Sequence, residues 1–371
     1  MSDIDPHGLE EFSVVFTDRS LNHMSSAFRE VMCDISKILS EVYNADGVAL
    51  VPGGGTFAME AVARQFSRGA KTLVVRNGWF SYRWSQIFEI GGLSDQSTVL
   101  KARQSGNDAT APFLPTPISE VVAKIHEERP DVVFAPHVET SAGVILPDDY
   151  VAAMATAAHD VGALMVLDCI ASGCVWVDLR ALGVDVLVSA PQKGWSATPC
   201  AGLVMMSERA LKRLENTESD SFAIDLKKWR DIMTAYENGG HAYHATLPTD
   251  SLRAFRDTMI ESRDYGFEKL RDAQWTLGEN VRKMLWEKGI KSVAADGFGA
   301  PGVVVSYTSD PEIQNGFKFA AEGVQIAAGV PLACDEPDSF MTFRLGLFGL
   351  DKLYDVDGTI NRLKRVFDKL L

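Results

Sequence analysis

The chain has 371 residues, and 36 Lys and Arg against 50 Asp and Glu leave a net charge of −14, which excludes a general phosphate-backbone binder with its basic face. A composition 46% hydrophobic and 23% charged predicts a globular chain with a large core and excludes extensive disorder. No run reaches the about 18–20 apolar residues of a membrane helix.

In chain order, a helical pattern over 25–42 is followed by a strand at 48–51 and a helix at 57–66. Next come a strand at 72–75, helices at 80–90 and 118–127, and a strand at 132–135. A helix at 149–161 then precedes strands at 163–167, 184–188 and 203–206. Apolar strands alternating with amphipathic helices predict an α/β fold with a mostly parallel sheet covered on both faces. Past residue 215 the rhythm changes to helices at 225–236 and 251–288, strands at 302–306 and 341–345, and a helix at 357–370. The expectation is a large α/β domain over 1–250 and a small α+β domain over 251–371, linked within the long helix that begins near Ser251. The acidic start Met1-Ser-Asp-Ile-Asp-Pro-His7 lacks the apolar stretch of a signal peptide, and the five cysteines form no CxxC pair. Reduced thiols and a cytoplasmic protein are expected.

Three places carry chemistry. Pro52-Gly53-Gly54-Gly55-Thr56 links a strand to a helix. Its glycines let the backbone approach a ligand, and the helix start offers free N–H groups to a phosphate. Read alone it is also a tight turn or a dinucleotide fingerprint, with Arg76 placed to suit a 2′-phosphate. Asp168 closes the apolar run Ala163-Leu-Met-Val-Leu, at the end of a strand where open α/β sheets bind ligands. Lys193 follows the strand at 184–188, 25 residues after Asp168, and precedes Gly194. An acid and an amine at neighbouring strand ends, below a phosphate seat, point to pyridoxal phosphate. Lys193 would form the Schiff base, Asp168 would keep the pyridine nitrogen protonated, and the helix start would take the phosphate.

Seven blocks extend this reading: Gly53-Gly-Gly-Thr-Phe-Ala-Met-Glu60, Asn77-Gly-Trp-Phe-Ser-Tyr-Arg83, His137-Val-Glu-Thr-Ser-Ala-Gly143, Leu167-Asp-Cys-Ile-Ala-Ser172, Gln192-Lys193, Tyr243-His-Ala-Thr246 and Phe343-Arg-Leu-Gly346. In this order the chain resembles the class V aminotransferases of the fold type I pyridoxal-phosphate enzymes, on the alanine–glyoxylate and serine–glyoxylate side. The resemblance implies a seven-stranded, mostly parallel sheet and transamination between a small amino acid and a small 2-oxo acid, of the glyoxylate or pyruvate type. It implies that Gly54, Gly55, Thr56 and Gln192 hold the phosphate, and that Phe80, or else Trp79, stacks on the ring with Ile170 on the opposite face. Thr140 would bond the phenolic oxygen, and Arg344 would clamp the substrate carboxylate. Tyr243 and Thr246 would reach the neighbouring subunit's phosphate, which makes a homodimer part of the site.

The rival within the same chemistry is a lyase or desulfurase. Those enzymes usually stack a histidine on the ring, place one before the lysine, and use a mobile cysteine. Here the first two positions are Phe80 and Gln192, and Cys334 is followed by Asp335 and Glu336, whose charges would raise its thiol pKa.

Overall fold

Strands β1 (Gly47–Pro52), β2 (Ala70–Arg76), β3 (Ser94–Lys101), β4 (Val132–Pro136), β5 (Leu164–Asp168), β6 (Val186–Ser189) and β7 (Ala201–Met206) form one sheet in the order β1-β7-β6-β5-β4-β2-β3. The structure is a computed structural model that describes residues 4–370. Every residue of β4, β5, β6 and β7 is buried, as near-continuous aliphatic runs require when helices cover both faces. Neighbours from β3 through β6 pair in parallel, whereas β7 runs antiparallel to both β1 and β6. The C-terminal ends of β1, β2, β4, β5 and β6 therefore share one edge of the sheet. That is the ligand edge of an open α/β fold.

The covering helices are α1 (Ser26–Tyr43), α2 (Gly55–Phe66), α3 (Trp79–Gly91), α4 (Ile118–Glu128), α5 (Asp148–Asp160), α6 (Glu208–Glu215) and α7 (Leu226–Glu237). α1 shows the sequence logic: Ser25 accepts from the Phe28 N–H to cap it, and Phe28, Val31, Ile35, Ile38 and Leu39 recur on its core face. The α/β architecture expected from the alternation, with a mostly parallel seven-stranded sheet, is the one observed.

Three elements differ from expectation. The helix expected over 251–288 is two, α8 (Thr249–Tyr265) and α9 (Phe267–Glu287), broken at Gly266 with φ of 112°. Such a left-handed backbone favours glycine, which no hydrophobic periodicity reveals. Leu252, Phe255 and Met259 of α8 fill the core under the large sheet, while Leu270, Leu277 and Val281 of α9 fill a second core with Phe319, Phe343 and Phe367. β3 was not expected, because Ser94-Asp-Gln-Ser-Thr is polar. It is an edge strand, and an edge tolerates that. α6 was also unexpected; its eight residues are mostly charged, with Ser207 capping Ala210.

After α9 a small antiparallel sheet of β8 (Val303–Tyr307), β9 (Ala327–Ala328) and β10 (Thr342–Gly346) takes the order β8-β10-β9. Its middle strand carries Arg344 opposite Val305 and Ala327, and α10 (Val356–Leu370) closes the chain.

Candidate active site

Asp168 is the last residue of β5, beside Pro136 of β4 and Val188 of β6. Its carboxylate receives one hydrogen bond, from the Ile170 N–H at 2.9 Å. Burial, helped by the negative charge of Glu139, pushes its pKa up from 3.8 to about 7. Among the described residues no cationic side chain lies within ion-pairing distance of it.

Lys193 sits in the loop after β6, held by turns from Ser196 N–H to Lys193 C=O and from Ala197 N–H to Pro191 C=O. Trp195, fully buried against Trp176 with ring centres 4.6 Å apart, anchors the loop from below. Gly194 is required there, since a Cβ would stand 2.0 Å from the Gly173 carbonyl oxygen. The Lys193 Nζ lies 5.3 Å from the centre of the Phe348 ring. Burial, and then the charges of Arg344 and Arg83, lower its pKa.

The third wall is the β1–α2 turn. Gly54 caps α2 without any side-chain hydrogen bond, so the first N–H groups face an open mouth. Gly55 lets Ile170 close on that turn, because a Cβ would come within 2.5 Å of Ile170 Cδ1. Thr56 is exposed, and its Oγ1 accepts from Arg83 Nη1 at 2.9 Å.

Phe80, in the first turn of α3, has two guanidinium groups near its ring, Arg83 at 4.9 Å and Arg344 at 5.5 Å from its centre. Trp79 instead pairs with Tyr82, ring centres 5.6 Å apart. Arg344 donates its Nε to the Ala328 carbonyl at 2.8 Å, and burial lowers its pKa against the opposing charge of Glu139. Thr140 is half-buried in the turn after Glu139, and Gln192 carries a buried Oε1 with no partner. Asp168, Lys193, Ile170, Gly55, Thr56, Phe80 and Arg344 are thus linked by direct contacts or mutual charge effects. Tyr243 and Thr246 are exposed, with hydroxyls 3.1 Å apart, and Tyr243 packs against His23 rather than against this cluster.

The residues fit pyridoxal phosphate. Among the described residues, a buried acid with no paired cation suits a pyridinium nitrogen, and a half-buried amine with no paired acid suits an aldehyde. An uncapped helix start beside Arg83 suits a phosphoryl group. A nicotinamide reading loses its arginine: Arg76 is buried under Tyr82 and bonds Ser85 Oγ and the Ala333 carbonyl. Cys334 is buried, with its thiol pushed up to about 12, chiefly by burial and then by Glu139 and Glu336. The expected effect of Asp335 gives way to those causes.

A family model described as Aminotransferase class-V matches residues 12–289. The chain belongs to the class-V aminotransferase family. It is a fold type I, pyridoxal-phosphate-dependent transaminase. Among related class-V sequences, a 2-aminoethylphosphonate–pyruvate transaminase from Paraburkholderia phymatum is 26% identical over 355 residues, 93% of this chain and 89% of that protein. A protein named soluble hydrogenase 42 kDa subunit, from Anabaena cylindrica, is 25% identical over 295 residues, 79% of this chain and 73% of that protein. The crystal structure of an alanine–glyoxylate aminotransferase from Nostoc sp. shares the fold at a TM-score of 0.78 and 22% identity, covering 94% of this chain and 89% of that one.

Four residues of this transaminase escaped sequence reasoning: Arg83, Glu139, Ser141 and Phe348. Arg83 was findable, since a cation three residues after Phe80 on a helix shares its face. Glu139 lies inside the block His137–Gly143 that carries the resemblance, but its role does not show there, because its partner Phe80 comes from a helix start 59 residues upstream. No helix among the described residues is long and apolar enough to cross a membrane, and no group of three or more His, Cys, Asp or Glu there could hold a metal ion.

Proposed function

We propose that this transaminase moves an amino group between a small amino acid and a small 2-oxo acid of the glyoxylate or pyruvate type. The observation that carries the reading is the pairing at adjacent strand ends. Asp168 is a buried acid with no cation paired to it and Lys193 a half-buried amine with no acid paired to it among the described residues, and Ile170, next to Asp168, closes on the uncapped α2 start. The relatives' names, with pyruvate and glyoxylate as partners, support the substrate size.

Pyridoxal phosphate, when bound, supplies an aldehyde carbon for the amino group and a ring that accepts the electron pair released at Cα. Asp168 holds a negative charge against the ring nitrogen in a dry site, where that charge is strongest. Lys193, its basicity lowered by burial, takes the proton from substrate Cα and returns it on the other side of the transfer. Arg344 presents its planar fork to the substrate carboxylate. Phe80 and Ile170 would pack on the two faces of the ring, Thr140 would bond the phenolic oxygen, and Gly54, Gly55, Thr56 and Gln192 would hold the phosphate.

Tyr243 and Thr246 stand exposed and away from their own chain's cluster, which suits a role in the partner's site across a homodimer. We place the protein in the cytoplasm. We also read it as a cofactor domain to about residue 250 and a small domain over 251–371 that delivers Arg344, with Gly266 as the joint between α8 and α9.

The test is a panel of amino donors with no acceptor, followed by glyoxylate or pyruvate. Small donors are expected to convert the yellow form to pyridoxamine phosphate, and the acceptor to restore it. Release of pyruvate, ammonia or sulfide without that conversion would make the enzyme a lyase.

A further inference from the structure

Glu139 has no place among the groups assigned so far, yet it is the most heavily bonded side chain near the site. It is fully buried in the turn after β4. Its Oε1 accepts from Phe80 N–H at 3.1 Å, Ser141 N–H at 3.1 Å and Ser141 Oγ at 2.7 Å. Its Oε2 accepts from Ser81 N–H at 2.9 Å and Ser81 Oγ at 2.6 Å. The remaining N–H at this helix start, that of Trp79, donates to Ser141 Oγ at 2.9 Å.

A helix start needs acceptors for its first N–H groups, and a negative charge there is favoured by the dipole. α3 begins after Gly78, which has no side chain to cap with. A Cβ at Gly78 would stand 2.1 Å from Ser141 Oγ and 2.7 Å from Glu139 Cγ. The cap is therefore supplied from another strand, and glycine leaves the room it needs. The turn so fixed includes Phe80, whose ring lies near Arg83 and Arg344.

We propose that Glu139 is a positioning residue: it caps α3 from the end of β4 and thereby fixes the Phe80 ring against the cofactor. The proposal rests on Phe80 as the stacking residue. Glu139 touches no reacting atom. It acts by removing freedom from the turn that carries the ring.

The test is a double-mutant cycle on the holoenzyme with Glu139→Gln and Phe80→Ala, read by the visible circular dichroism of the bound cofactor and by its dissociation constant. The amide of Glu139→Gln keeps one acceptor oxygen but turns an N–H₂ toward the N–H and O–H donors of the other and removes the charge, so about half of the cap is lost with little change of volume. Phe80→Ala is expected to weaken cofactor binding about tenfold and to reduce the dichroism, and Glu139→Gln to do nearly the same. The double variant is expected to match Phe80→Ala alone, because a ring that is gone cannot be misplaced. Ser141→Ala, which removes one donor and the Trp79 acceptor, serves the same cycle if Glu139→Gln does not fold, with a smaller effect of the same sign. Additive losses, or unchanged dichroism and affinity in the Glu139 or Ser141 variant, would overturn the positioning role while leaving stacking intact. An unaltered Phe80→Ala would overturn the stacking assignment and this role together.

Discussion

Two buried carboxylates stand near the same edge of the sheet, at the ends of β4 and β5, and their surroundings are opposite. Glu139 accepts five hydrogen bonds, while Asp168 accepts one and has its pKa raised to about 7. A buried charge with a full set of donors is part of the framework. One left almost bare is costly to the free protein, and it marks where a cation is to arrive. Local satisfaction separates the acid that builds the site from the acid that works in it.

The largest effect is expected at Lys193, the amine in the loop after β6. Lys193→Ala should lower turnover by about 10⁴-fold or more, as measured by steady-state transamination. Asp168→Asn should cost about 100-fold or more in turnover, since the ring nitrogen loses its counter-charge.

The same variant sharpens the comparison through pH. The folded pKa of Asp168, about 7, lies above its ordinary 3.8, so the cofactor-free native state binds the extra proton. The stability this contributes is complete below about pH 4 and is lost as the pH rises through about 7. Melts of the cofactor-free protein should therefore show a falling component between those values that Asp168→Asn lacks. Parallel pH profiles for the two proteins would contradict the bare-acid assignment.

Arg344→Ala should raise KM for the amino acid about 10–100-fold while leaving the cofactor's absorption intact, the loss of a charged, two-point contact. Loss of the cofactor instead would reassign Arg344 to the phosphate. Smallest is Cys334→Ser, expected within about twofold of wild-type activity, because a buried, protonated thiol does not act as a nucleophile. A collapse of activity there would revive the lyase reading.

The sequence exposes the half of this site that chain-local signals can carry. Asp168 closes an apolar strand, Lys193 follows the end of another, and the Gly53–Thr56 turn joins a strand to a helix, so their positions follow from where the hydrophobic runs stop. β3 is hidden because an edge strand need not be apolar, and the break at Gly266 because one glycine does not disturb helical periodicity. The role of Glu139 is hidden for a different reason: its importance lies in what it bonds, and Phe80 and Ser81 come to it only through the parallel pairing of β2 with β4. Tyr243 and Thr246 come only from the resemblance, since periodicity within one chain says nothing of a second subunit.

The most direct measurement is borohydride reduction of the yellow holoenzyme followed by peptide mapping. A single pyridoxyl adduct on Lys193, absent from Lys193→Ala, is the predicted result. An adduct on another lysine, or none at all, would contradict the assignment of the acid–amine pair on which the account rests.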